Sequence, residues 1–455
     1  MKKKDMYIRY ERSYKRRRRH NNGTVKILLG ILLFLILGSA TFVTLKIQAD
    51  KKEQKNEVIP DQIDSGEDDG AGDDQQSSQP QATPEAKETF KTDVKSGLID
   101  QTTPQQDQAS DRITVIPDSN EEKKPTQVKG IYVSAKTAGS NYINTLTEVA
   151  ATTELNAMVI DVKDDTGRIT FDMNSPTVQK IGSDSNDIKD MPELIRTLKK
   201  KNIYLIARIV AFKDPYLAEY NHKLAIKNKD GSLYRDNNGE CWVNPYEHEV
   251  WDYLLEVASQ AASLGFDEIQ FDYIRFSTGG DMSKVDFGKA SKTKSKEDII
   301  TEFTKYAYES LKPLGVYVSA DVYGAIISSD VDGGIVGQNY VEMAKYLDYI
   351  CPMIYPSHFG NGNYGIKNPD LEPYEIIRKV LTASASRLGD IPEGQHRAIV
   401  RPWLQDFTAT WLKPHIKYGK DEIRQQIEGV YSVNYNEWLL WNSVSKYSVE
   451  GLLKE

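Results

Sequence analysis

Asp272 closes the stretch Leu264-Gly-Phe-Asp-Glu-Ile-Gln-Phe-Asp-Tyr-Ile-Arg-Phe276, and Asp321 lies inside Val316-Tyr-Val-Ser-Ala-Asp-Val-Tyr323. Strand alternation puts Ile269 and Phe271 on one face and Gln270 and Asp272 on the other, and it sets Val316, Val318, Ala320 and Val322 opposite Ser319 and Asp321. A carboxylate on an apolar strand must have its desolvation offset by a partner or by a function. An Asp272–Arg275 ion pair bracing the fold is one reading, and a reactive carboxylate is the other. Two acids on neighbouring strands, aimed at one space, suit hydrolysis of a glycosidic bond. One carboxylate acts as nucleophile or base, and a protonated acid serves the leaving oxygen. Cations at Arg208, Arg275 and Arg401 would hold one carboxylate ionised while a drier neighbour keeps its proton. A purely structural network of these arginines and aspartates is the competing explanation.

The elements that must position these groups alternate along the chain from Val128 onward. Strands are expected at Gly130–Ser134, Ala157–Lys163, Ile203–Val210, Glu268–Ile274, Val316–Tyr323, Leu347–Tyr355, Ala398–Gln405 and Trp438–Asn442. Helical periodicity fills the intervals at Tyr142–Leu155, Met191–Lys201, Glu247–Leu264, Lys296–Leu311, Val341–Tyr346, Pro373–Arg387 and Asp421–Val433, with a short closing helix at Val444–Leu453. Asn202, Gly265 and Gly315 stop three of them just before a strand. Eight such units predict an α/β fold, a (β/α)8 TIM barrel, in which chemistry sits at the C-terminal ends of the strands. Polar residues collect at those ends: Asp161, Lys163, Asp164, Asp165, Arg208, Asp272, Arg275, Asp321, Tyr323, Tyr355, His358, Arg401, Trp403, Gln405, Trp441 and Asn442. Trp242, Tyr246 and Trp411 add rings just beyond strand ends, and Asn244 lies in the same segment as Trp242. As a set, the rings favour a polysaccharide groove, because flat apolar faces stack on sugars while polar edges reach partners.

The rest of the chain bears on compartment. Residues 1–20 carry ten Lys or Arg against Asp5 and Glu11, and Ile27–Leu45 is an uncharged, mostly apolar run of 19 residues. At about 1.5 Å per helical residue that run matches a bilayer core of about 30 Å, so 27–45 is expected to be a transmembrane helix that stays uncleaved. The basic tail 1–26 would then lie in the cytoplasm and the C-terminal domain outside. The arginine run serves topology here better than nucleic-acid binding. Residues 46–124 are Gln-, Ser-, Asp-, Glu- and Pro-rich, as expected of a disordered acidic linker whose root-mean-square span is roughly 45 to 50 Å. The domain is expected over 125–455. Cys241 and Cys351 do not make a disulfide scaffold, and Cys351 reads as a buried thiol. Six histidines occur without a zinc-binding spacing, and no acyl-transfer or dinucleotide-binding motif marks the chain. Asp161-Val-Lys-Asp-Asp165 is either a cation site or, with Lys163 amid the acids, an ion-paired cluster. No cofactor and no metal are expected.

Six motifs in order then resemble one family, the TIM-barrel glycoside hydrolases of bacterial envelope proteins, distantly similar to α-amylase-like barrels. They are Lys129-Gly-Ile-Tyr-Val-Ser134, Ile160-Asp-Val-Lys-Asp164, Cys241-Trp-Val-Asn-Pro245, Asp267-Glu-Ile-Gln-Phe-Asp-Tyr-Ile-Arg-Phe276, Ser319-Ala-Asp-Val-Tyr-Gly324 and Pro352-Met-Ile-Tyr-Pro-Ser-His358. The resemblance covers roughly Val128 to the C-terminus. It implies Asp272 as nucleophile and an acid on the fifth strand, where such barrels usually carry Glu and this chain carries the shorter Asp321. Asp164 and Asp406 are the substitutes for that second carboxylate. The expected substrate-binding set is Asp161, Lys163, Asp164, Arg208, Trp242, Asn244, Arg275, Tyr323, Tyr355, His358, Arg401, Trp403 and Trp441. The leading expectation is an anchored extracellular glycoside hydrolase acting on a wall or secreted polysaccharide. A non-catalytic glycan-binding barrel and a metal-dependent polysaccharide deacetylase are the alternatives.

Overall fold

The structure is a computed structural model that describes residues 126–454. The basic tail, the expected span at 27–45 and the expected linker at 46–124 lie outside the described residues. Among the described residues no helix is long and apolar enough to cross a membrane.

Nine parallel strands close into a ring: β1 (Lys129–Val133), β2 (Ala157–Lys163), β3 (Tyr204–Val210), β4 (Glu268–Asp272), β5 (Tyr317–Tyr323), β6 (Tyr349–Met353), β7 (Ile399–Val400), β8 (Trp403–Gln405) and β9 (Trp438–Trp441). The order runs β8-β9-β1-β2-β3-β4-β5-β6-β7, and a β8–β6 pairing at Trp403 and Met353 completes the circle. β7 and β8 together make the one strand expected at Ala398–Gln405. Pro402 sits at the break, and without an N–H it cannot continue the ladder. The eight-stave barrel is therefore present, with its seventh stave split.

Helices stand outside it at α1 (Tyr142–Thr152), α2 (Met191–Lys199), α3 (His248–Leu264), α4 (Lys296–Leu311), α5 (Tyr340–Ala344), α6 (Pro373–Leu388) and α7 (Lys420–Tyr431). Gly265 ends α3 in the left-handed region at φ 105°, where a side chain would strain the backbone, and the next strand begins three residues later. Strand alternation sorts the apolar residues into two separate cores. Ile131, Ile160, Leu205, Ile269, Phe271, Val318, Ala320 and Val322 face outward onto helix residues such as Ile195, Leu254, Ile300 and Phe303. Tyr132, Val159, Ile206, Tyr349, Cys351, Trp403 and Leu439 fill the barrel itself. Both cysteines are free and buried.

The expected closing helix at Val444–Leu453 is replaced by a stitched turn with one 3-10 segment at Val449–Gly451. Ser445 sits at φ 55°, which breaks helical continuity, and Asn442 Oδ1 caps the Val444 and Lys446 amides. Gly451 packs so closely on α7 that a Cβ there would lie 2.6 Å from the Lys420 carbonyl oxygen. Long insertions follow β3 and β4, and they meet in a small antiparallel pairing of Lys227–Asn228 with Val285–Asp286. This pairing ties together the two loops on one side of the barrel mouth.

Candidate active site

Arg208 is the charged centre of the mouth. It stands on β3 between Asp161 of β2 and Gln270 of β4, its strand partners on either side. Its Nη1 donates to Asp161 at 2.7 Å, and its Nη2 donates to Asp165 at 3.1 Å. Nε and Nη2 both reach Asp272 Oδ2, at 3.0 and 2.6 Å. The guanidinium also lies 5.6 Å from the Tyr132 ring centre and 5.5 Å from that of Trp441, and these two rings stack on each other. Burial pushes the Asp161 carboxyl up to about 6 against the pull of Arg208 and the Tyr132 hydroxyl. Burial acts upward on Asp165 too, but Arg208, with Lys213 behind it, holds that carboxyl below its ordinary value. Three carboxylates around one guanidinium leave an excess of negative charge.

Asp272 and Asp321 end adjacent paths along β4 and β5, where Phe271 pairs with Ala320 one step earlier. Asp272 accepts charge-assisted hydrogen bonds from Arg208 through Oδ2 and a hydrogen bond from the Tyr273 amide through Oδ1 at 2.6 Å. Asp321 differs sharply. Burial first, and then the charge of Asp272, push its carboxyl well above the ordinary range, while the Trp403 indole N–H at 2.6 Å from Oδ1 only partly opposes them. One aspartate is thus gripped by a guanidinium, and its neighbour's carboxyl is pushed towards its protonated form.

A cavity of about 480 Å³ opens over both. Of the residues singled out in the sequence, its wall holds Asp165, Arg208, Asp272, Arg275, Asp321, Tyr323, Tyr355, His358, Trp403 and Trp441. His358 is kept towards its neutral form by burial, and its Nδ1 lies 3.0 Å from Ser357 Oγ. Tyr273, Met353, Phe359 and Asn363 also line the cavity and were not anticipated. Strict alternation would turn Tyr273 away from the axis. Its φ of 48°, left-handed and uncommon for an aromatic residue, turns the chain immediately after Asp272 and brings the ring into the wall. No period-2 pattern carries that signal.

Six of the expected binding residues lie outside the cavity wall. Asp161 sits beneath Arg208, as described. Lys163, fully buried, reaches Asp214 at 2.9 Å and the Val210 carbonyl at 2.7 Å, tying β2 to the loop after β3. Lys163 thus pairs outside its own acidic cluster, whose Asp161 and Asp165 are held by Arg208 instead. Asp164 shapes its own turn by accepting from Thr166 and from the Arg168 amide. Trp242 is buried behind Arg275 and Tyr273, with its N–H on Asp236 at 2.9 Å. Asn244 binds the Phe287 carbonyl and the Tyr246 amide. Arg401 lies at the opposite end of the barrel, against Glu268 at 2.8 Å and Glu437 at 2.7 Å, with its guanidinium 3.6 Å from the centre of the Tyr349 ring. Asp406, a proposed substitute acid, is held by Ser448 and is likewise outside the wall. Tyr246 is packed inside the structure, whereas Trp411 is 63% exposed beyond the cavity and stacks on Phe407. Among the described residues no group of three or more His, Cys, Asp or Glu is arranged to hold a metal ion.

The chain is similar to several proteins of known structure. A hypothetical protein from Ruminiclostridium thermocellum is 39% identical, with 42% of this chain and 97% of that one covered and a TM-score of 0.40. The PgaB (BpsB) glycoside hydrolase domain from Bordetella bronchiseptica is 13% identical over 70% of this chain and 95% of its own, with a TM-score of 0.51, a likeness of fold. The spore cortex-lytic enzyme SleL of Bacillus megaterium is 12% identical, with 72% and 74% covered and a TM-score of 0.41. No curated protein matches the sequence. The family model described as "Putative glycosyl hydrolase domain" matches residues 130–447, which takes in every barrel strand but the first residue of β1, and the chain belongs to that glycosyl hydrolase family.

Proposed function

We propose that this glycoside hydrolase cuts a cell-wall or secreted polysaccharide by a two-carboxylate mechanism, with Asp272 as nucleophile or base and Asp321 as proton donor. The observation that carries the reading is the pairing, in one cavity, of a carboxylate held by Arg208 with an aspartate whose carboxyl is pushed towards its protonated form. Asp321 delivers its proton to the glycosidic oxygen as the bond to the anomeric carbon breaks. The oxocarbenium-like transition state carries positive charge on the sugar ring, which the excess of carboxylates around Arg208 favours. Asp272 then either adds to the anomeric carbon or draws a proton from the attacking water. The anomer first formed, read by NMR, distinguishes these routes. Trp441, Tyr355 and Tyr323 offer ring faces to the sugar, and the other cavity residues position it.

The proposal extends to place. The basic tail 1–26, a helix at 27–45 and the linker 46–124 would hold the domain 125–455 on the outer side of the plasma membrane, close to wall glycans. The test is release of soluble oligosaccharide, detected by mass spectrometry, when the full chain meets the producing organism's isolated wall and secreted glycans. Product from the wild type and none from Asp272→Asn supports the mechanism. Equal binding by both proteins with no product supports a glycan-binding barrel instead.

A further inference from the structure

Arg275 is 8% exposed and lines the cavity, yet among the described residues no carboxylate forms an ion pair with it. Asp272, the partner that the sequence offered, is taken by Arg208. Around Arg275 stand three rings, with centres 5.1 Å (Trp242), 4.9 Å (Tyr273) and 4.6 Å (Tyr323) from the guanidinium carbon. Its one described hydrogen bond runs from Nη1 to the Phe276 carbonyl at 2.9 Å. Aromatic faces attract and orient a cation without neutralising it. The other cations nearby are already spent: each of the three Arg208 nitrogens donates to a carboxylate, and Lys213 is bound to Glu240 at 2.8 Å.

A buried guanidinium with unspent charge is costly unless an anion meets it, and its planar fork of donors matches a carboxylate or a phosphate. We propose that Arg275 receives an anionic substituent, a carboxylate or a phosphodiester, carried by the sugar bound beside the reacting bond, so that the substrate is an acidic glycan. The inference rests on the glycosidase reading and names its substrate class. Asp165 and Asp272 are already bound to Arg208, which leaves Arg275 as the cavity cation open to the acidic group. A neutral sugar at that position would leave the guanidinium unmatched.

The test measures sedimentation of the full chain with insoluble wall glycan, and product release from it, for three preparations: native, carboxyl-amidated and stripped of phosphodiesters. Wild type is expected to bind and release about tenfold less from the preparation that has lost the recognised anion, the size of one charge-assisted contact, and the arm that falls identifies the anion. Arg275→Gln should fall on native glycan to that lower level and lose the distinction, and Arg275→Lys should regain part of it. Equal treatment of all three preparations by wild type, or an unchanged preference in Arg275→Gln, overturns the proposal. Binding is read apart from hydrolysis. Anion-dependent binding without product sinks the glycosidase reading alone, and hydrolysis without anion preference sinks this inference alone.

Discussion

The two ends of the barrel interior use the same chemistry to opposite ends. At the floor, Arg401 is enclosed by Glu268 and Glu437, the Tyr204 hydroxyl donates to Glu268 at 3.0 Å, and the Tyr349 ring lies beneath the guanidinium. At the mouth, Arg208 meets Asp161, Asp165 and Asp272, and Asp321 and Arg275 stand in the same cavity wall. Both arginines are buried to the same degree, so burial does not separate them. What separates them is access and balance. The floor has two acids around its arginine and does not face the cavity, whereas the mouth has more acids than one arginine can satisfy and opens to solvent. β4 carries both in one strand, with Glu268 at its lower end, Gln270 between and Asp272 at its upper end.

Removing charge at the mouth is expected to cost turnover, and removing it at the floor is expected to cost stability. Asp272→Asn is expected to lower turnover by about 10³-fold or more while the fold persists, since Arg208 keeps Asp161 and Asp165. Thermal unfolding measured alongside kinetics checks both halves. Asp321→Asn is expected to cost roughly 10²-fold to 10³-fold on native glycan. On an aryl glycoside whose leaving group needs no proton, it should cost far less. Equal losses on both substrates would remove Asp321 from the role of acid.

Arg401→Met is expected to destabilise the fold by about 3–5 kcal/mol in denaturant titration, because it strands Glu268 and Glu437, with turnover per folded molecule unchanged. The smallest effects concern pH. Turnover should decline on the alkaline side as Asp321, pushed upward by burial and by Asp272, gives up its proton. Asp161 binds its proton more tightly in the folded chain, so its contribution to stability is present below its ordinary value of 3.8 and is lost as pH rises through about 6. Asp161→Asn should flatten stability across that interval.

Much of this was legible in the sequence because alternation along a strand is a local property. The eight staves, the inward turn of Asp272 and Asp321, and the stops at Gly265 and Gly315 all follow from short windows. Which level of the barrel a side chain occupies is not local. Arg401 and Arg208 look alike on their strands, and only the pairing register, with Ile350 opposite Val400 and Gln270 opposite Arg208, puts one at the floor and the other at the mouth. Partner choice was hidden for the same reason. Arg275, three residues from Asp272, was the near partner in the sequence, yet Arg208 took that carboxylate from the adjacent strand. No closing helix forms at Val444–Leu453, because Asn442 and Ser448 bind neighbouring backbone and Asp406 rather than supporting a helix.

The most direct measurement is turnover per folded molecule on the organism's own wall glycan for Asp272→Asn beside Arg401→Met. The account predicts product from Arg401→Met at the wild-type rate and about 10³-fold less from Asp272→Asn. Full turnover by Asp272→Asn, or an equal loss in both variants, would contradict the assignment of the chemistry to the mouth.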